Sequence, residues 1–447
     1  MKKEPSFLKH FFQIYIALVL QNVITLSVNL ADNMMLGAYS ETALSGVAAV
    51  NQIQFVFQQV LFALGDGLVI FCSQYWGKKQ TEPMKRIAAI AMYAGVFAAV
   101  VLLVLASCVP HGIVGLFTTE EAIIQEGVSY IRIIRFSYLF FAVTVILLAT
   151  LRSVEVVKIA FYLSVLTFFV NCGINYVLIY GRFGAPRLGV EGAAIGTLTA
   201  RILETAVLVF YIAVREKELK LRLRDYGRPD PVLAKDYFKL TTPMVAVQGL
   251  WGVNTALQTV ILGHMTAAAI AANSVASTLF LVVKSMAVGA ASATAVIIGK
   301  AIGTGDIGRV KEYARRLQRI FLVIGITGGI LLFFLRIPVL GLYELSAATK
   351  AMANQFLIIL SVVFVGMSYQ MPTNNGIIRG GGNAMFVVKM DLISIWCIVI
   401  PVSLLMAFVV KASPVVVVCC LNADQIFKCV PAFLESHYGN WIRKLTR

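Results

Sequence analysis

A few polar side chains in this sequence sit where water should be scarce, and their types and spacing allow ion chemistry. Asp32 falls inside an apolar run, five residues before Gly37. Asn171 and Asn175 are spaced i, i+4, which puts both on one helix face. They lie six to ten residues before Gly181, and Thr197 lies near the start of the next apolar run. Three neighbouring helices would thus bring one carboxylate, two amides and one hydroxyl to similar depth. Such a set offers oxygen ligands to a small hard cation, or a carboxylate that takes up and returns a proton. The plainer alternative is that Asp32 hydrogen-bonds locally near a helix end.

A second set lies deeper. Asp66 and Lys284 are isolated charges in long apolar runs. An internal repeat, described below, maps Lys284 onto Gln58, eight residues from Asp66. That is about 12 Å along a helix, more than a lysine spans. The two are therefore read as separate charges lining a central cavity. Gln248, Asn254, Trp251 and Met286 are added to the cavity set, the last two as adaptable apolar contacts. Ordinary core or lipid packing is the alternative for each. Arg201 and Glu204, spaced i, i+3, and Asp424 and Lys428, spaced i, i+4, read as pairs that neutralise charge within one helix. Gly303-Thr304-Gly305-Asp306-Ile307-Gly308 fits G-x-G-x-x-G, but no strand precedes it, so a nucleotide site is not expected. No phosphate-binding G-x-x-x-x-G-K-[ST] is present, which argues against an ATP-driven pump on this chain. The seven cysteines are odd in number and form no C-x-x-C, so neither a disulfide frame nor a metal site is expected.

The elements that must position these residues follow from hydropathy. Of 447 residues, 59% are hydrophobic and only 13% charged, too apolar for a soluble chain. Long apolar runs predict an all-α membrane protein of about twelve spans, because lipid leaves each backbone group to be satisfied internally. The expected spans are 12–36, 44–74, 87–108, 128–150, 159–180 and 193–214, then a charged linker. Six more follow at 241–263, 270–298, 320–341, 353–377, 391–410 and 413–433. The first is read as a retained helix, since no cleavage site follows it. The net charge of +16 reflects basic connections, with no nucleic-acid partner expected. Lys2, Lys3, Lys78, Lys79, Lys85, Arg86, the linker, Arg309–Arg319 and Arg443–Arg447 all fall on one side if the spans alternate. By the positive-inside rule, both termini are cytoplasmic.

The halves repeat. A shift of 226 superposes Leu36-Gly37 on Leu262-Gly263 and Gly77 on Gly303. A shift of 227 puts Arg201 on Lys428. Two six-helix lobes, 1–222 and 223–447, are expected with the same orientation, a parallel repeat of the kind found in secondary transporters.

At this point the chain resembles the multidrug and toxic compound extrusion family over nearly its whole length. The resemblance is carried by Asp32-Asn33-Met34-Met35-Leu36-Gly37, Gln74-Tyr75-Trp76-Gly77, Asn171-Cys172-Gly173-Ile174-Asn175-Tyr176, Gly189-Val190-Glu191-Gly192 and Ile378-Arg379-Gly380-Gly381-Gly382-Asn383. Departures are present. Ala17 stands where the family often has a bending proline, Asn175 where many members have a second aspartate, and the LRG-type turn after the fourth helix is altered to Leu151-Arg152-Ser153-Val154-Glu155. The acids that form an ion site in the second half of some members are absent from the seventh and tenth helices, where Gln248, Asn254, Thr373 and Asn374 stand. The resemblance implies a cation-coupled antiporter, driven by H⁺ or Na⁺ and needing no cofactor. It would act as a monomer in the cytoplasmic membrane, exporting small amphipathic organic cations. A related flippase of lipid-linked precursors or polysaccharide is the alternative, and a basic central cavity would favour it. A receptor or scaffold that transports nothing is a further class, against which the repeat and the intramembrane acids argue.

Overall fold

The computed structural model describes residues 7–227, 230–341, 343 and 346–446, so Lys2, Lys3 and Arg447 of the orientation argument lie outside the described residues. Eleven helices among them are long and apolar enough to cross a membrane, and a bent pair raises the number to twelve. The described residues contain no strand; one isolated antiparallel bridge joins Gly382 to Ile442.

The bent pair is the fourth span. It was expected as one helix over 128–150. It consists instead of Glu121–Ile134 and Ser137–Ser153, with an angle of 56° between them. The break comes from a change of bonding. The Phe136 N–H reaches Ile133 O, and the Tyr138 N–H reaches Arg135 O, both three residues back. These tight turns redirect the axis.

The seventh and ninth helices begin furthest ahead of their apolar runs. The seventh starts at Pro231 rather than at 241. Asp230 accepts the Val232 N–H at 2.9 Å and the Leu233 N–H at 3.4 Å, and pairs with Arg86 at 3.2 Å. The Val232 N–H is the main reason its carboxyl sits below the usual range. Proline in the first turn suits this start, because its missing N–H would be unbonded there anyway. The ninth helix starts at Ile307 rather than at 320, so the basic stretch Arg309–Arg319 is helical and not a loop. Lys, Arg and Glu are good helix formers, and Asp306 accepts the Arg309 N–H at 3.0 Å. At 35 residues this helix is about 52 Å long, well beyond the hydrocarbon core.

Contacts divide the described chain into two compact units. One contains 20–72 and 80–241. In it the fifth span, Lys158–Tyr180, packs along the sixth, Val190–Val214. Both halves of the fourth span also lie on the sixth. The linker is pinned to the third span, Thr81–Cys108, by Lys85 and Asp225 at 3.3 Å and by the Tyr93 hydroxyl, which donates to Tyr226 O. Burial pushes the Tyr226 phenol up to about 12.

The other unit contains 7–19, 73–79 and 242–446. Its core joins Leu332, Phe356, Leu357, Phe364 and Val417. The tenth span, Ala347–Met371, continues through a wider turn, Pro372–Ile378. Pro372 has no N–H for the carbonyl four residues back, and the widened turn moves the bonding one residue on. The Arg379 N–H accordingly reaches Asn374 O at 2.8 Å.

Candidate functional site

The first span, Phe7–Tyr39, carries Asp32 into the unit formed by 20–72 and 80–241. There the structure brings all four expected ion-site residues together. Asn175 Nδ2 donates to Asp32 Oδ1 at 2.7 Å and to Asn171 Oδ1 at 3.3 Å. Asn171 Nδ2 donates to Thr197 Oγ1 at 3.2 Å. Both hydrogens of the Asn175 amide are therefore used. Its nitrogen must face the carboxylate, since the reversed amide would set oxygen against oxygen. Asn171 and Asn175 are fully buried, and Asn175 Oδ1 has no hydrogen-bond partner among the described residues.

The packing that allows this is specific. A Cβ on Gly196 would lie 2.0 Å from Asn175 Oδ1, so only glycine on the sixth span leaves room for that amide. Two further residues complete the cluster. Tyr130, buried on the first half of the broken fourth span, has its hydroxyl facing Thr197. Arg201, four residues after Thr197, pairs with Glu204 at 2.8 Å, lies over the Phe141 ring at 4.6 Å and is within electrostatic reach of Asp32. Sequence reasoning read Arg201 and Glu204 only as a local pair and did not single out Tyr130. The available signal was a tyrosine in an apolar run, which must find a partner for its hydroxyl.

The cluster holds two carboxylates, Asp32 and Glu204, and one guanidinium. Glu204 has the guanidinium at contact distance, whereas Asp32 is held by a neutral amide. A buried group in excess by one negative charge is relieved by one proton or one monovalent cation. The oxygens of Asp32, Asn171, Thr197 and Tyr130, with the unpartnered Asn175 Oδ1, suit either ion. Among the described residues no three His, Cys, Asp or Glu side chains group as a metal site.

The expected cavity residues are divided between the two units. Asp66, expected to stand apart as a cavity charge, instead forms an ion pair with Arg152 at 2.8 Å. Arg152 lies in the last turn of the second half of the broken fourth span, Ser137–Ser153. Gln248, Trp251, Asn254, Lys284 and Met286 all lie in the other unit. Lys284 Nζ sits 4.6 Å above the Trp251 ring. Met286 packs against the apolar core. Asn254 is buried with an unpartnered Oδ1, and Gln248 is half-buried.

The expected pair Asp424 and Lys428 forms at 2.9 Å, and Asp391 joins it, also 2.9 Å from Lys428. The network continues from Asp424 to Gln425 at 2.8 Å, from Gln425 to Gln370 at 2.8 Å and from Gln370 to Asn374 at 2.9 Å. Asp391 was not foreseen, although an aspartate inside an apolar span has to find a cation.

An all-helical, multi-pass chain with a parallel repeat and a polar cluster buried in one half has an arrangement found in secondary transporters. The MatE family profile matches residues 17–177 and 243–405, two segments that begin 226 residues apart, and the chain belongs to that family. It is 24% identical over 453 residues to a probable multidrug resistance protein NorM of Thermotoga maritima, covering 99% of this chain and 95% of the relative. It is 25% identical over 421 residues to a probable multidrug resistance protein YoeA of Bacillus subtilis, covering 92% and 89%. Among solved structures, the Vibrio cholerae MATE transporter VcmN superposes with a TM-score of 0.88 at 16% identity, over 98% of both chains. A MATE structure in the straight conformation gives a TM-score of 0.87 at 16% identity, over 96% of this chain and 95% of that one.

Proposed function

We propose that this chain is an antiporter that exports amphipathic organic compounds, cations among them, across the cytoplasmic membrane in exchange for H⁺ or Na⁺. Asp32 is the exchanging group, with Asn171, Asn175 and Thr197 as its partners. The observation that carries this is the carboxylate held by a neutral amide in a cluster with one excess negative charge. The names of the relatives, multidrug resistance proteins, support the cargo class.

The ion acts by neutralising Asp32. The first, fifth and sixth spans then repack around an uncharged side chain, and the balance between outward- and inward-open states shifts by the difference in ion affinity of the two states. The halves, 1–222 and 223–447, rock about the cargo site, with both termini on the cytoplasmic side. The protein works as a monomer. Trp251, Met286, Gln248, Asn254, Asp66 and Lys284 contribute to the cargo path.

The test uses purified protein in vesicles loaded with a cationic dye, under a pH gradient alone and a Na⁺ gradient alone. One gradient should drive efflux in the parent, and neither should in Asp32→Asn, which keeps the shape but fixes the neutral form. Asp32→Asn efflux that equals the parent's and still follows the gradient would remove Asp32 from the mechanism. Efflux with neither gradient in the parent would remove the antiporter reading.

A further inference from the structure

The twelfth helix ends at Tyr438, and the chain beyond it is not a free basic tail. Trp441 is 1% exposed, and its indole N–H donates to Ser436 O at 2.8 Å. The following residues run beside the turn that ends the tenth span. The Arg443 N–H donates to Gly381 O at 2.8 Å, and Gly382 pairs antiparallel with Ile442. Gly382 has φ +99°, a conformation that favours glycine. A Cβ on Gly381 would lie 2.4 Å from the Trp441 ring. Asn383 closes the same corner by donating to Glu435 at 2.9 Å.

The other edge of this segment is held by the end of the second span. Gln74 is fully buried, and its amide treats the tail as a neighbouring strand would. Its Nε2 donates to Arg443 O at 3.1 Å, and its Oε1 accepts the Leu445 N–H at 2.9 Å. One turn on, Lys78 Nζ reaches Thr446 O at 3.5 Å. Residues 73–79, the end of the second span and the turn after it, belong with 242–446 rather than with 20–72. The contact beneath the tail is close: a Cβ on Gly77 would lie 2.1 Å from Lys300 O, and one on Gly299 1.9 Å from Ser73 Oγ.

We propose that Trp441–Thr446 is a latch. It fastens the end of the second span to the turn after the tenth, and it must let go when this face of the transporter opens. The inference rests on the alternating-access reading above. Opening on this side separates the second span's end from the eighth, and Gln74 cannot leave while both ends of its amide are bonded to a segment anchored by Trp441. The buried indole supplies the anchor, and the two amide bonds make the release specific.

The test uses full-length protein in nanodiscs, both faces reachable, with the seven native cysteines replaced. Ser73→Cys reports separation of the second and eighth helices, and Thr446→Cys reports release of the tail, both by maleimide labelling. No substrate is needed, so the outcome is independent of what the cargo is. Trp441→Ala should speed Ser73→Cys labelling about tenfold. Gln74→Glu keeps the acceptor but loses the donor, and should speed it about threefold, the scale of one hydrogen bond. In the otherwise unchanged protein, any ion condition that raises one label should raise the other. Ser73→Cys labelling that stays within twofold in Gln74→Glu overturns the latch, even if Trp441→Ala fails to fold. So does Ser73→Cys labelling that rises while Thr446→Cys stays protected.

Discussion

The two halves place a basic residue at the same repeat position and use it in opposite ways. In the first half Arg201 takes one carboxylate, Glu204, at 2.8 Å and leaves Asp32 to the amide of Asn175. In the second half its counterpart Lys428 is clamped between Asp391 and Asp424, each at 2.9 Å. Lys284 is also within electrostatic reach of Asp424. In the second cluster both carboxylates contact the cation, whereas in the first only Glu204 does. A buried carboxylate already in contact with a cation gains less from a further ion than one held by a neutral amide. Under the proposed function the first half is the one that exchanges the ion, and the second half holds its carboxylates in a fixed ion-paired network.

The comparison can be broken in several places. The largest effect is expected from Lys428→Ala, which leaves Asp391 and Asp424 facing each other without their shared cation. The loss should be about 3–5 kcal/mol, read as lower melting temperature and less protein in the membrane. A variant as stable as the parent would show that the second cluster is not a fixed one. Next comes Asp32→Asn, with a fall in gradient-driven efflux of about tenfold or more, or about 1.4 kcal/mol of coupling per tenfold, at little cost in stability. Asp424→Asn should do the reverse, lowering stability while ion dependence persists. If Asp424→Asn abolished the ion dependence, the roles of the halves would be exchanged. Gly196→Ala pushes a methyl into Asn175 Oδ1 and should weaken efflux about threefold to tenfold, in line with a displaced hydrogen bond to Asp32. Efflux kinetics of Gly196→Ala and Asn175→Ala side by side would check that they act through one contact. Tyr130→Phe should be smallest, within about 1 kcal/mol, seen as a shift in the ion concentration for half-maximal efflux.

Much of the frame was legible in the residues. Apolar run length gave the spans, because backbone in lipid has few alternatives. The 226-residue offset, found again in the two matched segments, gave the repeat. Asp32, Asn171, Asn175 and Thr197 were legible because polar groups at matched depth on helices adjacent in sequence tend to meet. What hydropathy could not carry was direction. The bend at Arg135 and Phe136 involves neither proline nor glycine, so no local signal marked it. The Asp66–Arg152 pair joins residues 86 apart and depends on how the second and fourth spans pack. Asp391 lies 37 residues from Lys428, so i, i+4 reasoning could not reach it. The latch is six residues long and has no period at all.

The widened turns of the tenth and eleventh spans bear on how a membrane helix can change shape. In water a helix bends by handing a carbonyl to solvent, but hydrocarbon provides no such substitute. Here Ile393–Val399 and Leu405–Val409, like Pro372–Ile378, bond five residues back instead of four. Each such turn stores one spare residue within an intact ladder. Passing that residue along the axis swaps one partner for its neighbour, and side chains beyond it swing around the helix while every N–H keeps an acceptor. All three of these turns lie in the second half, and the one at Pro372–Ile378 contains the buried amide of Asn374.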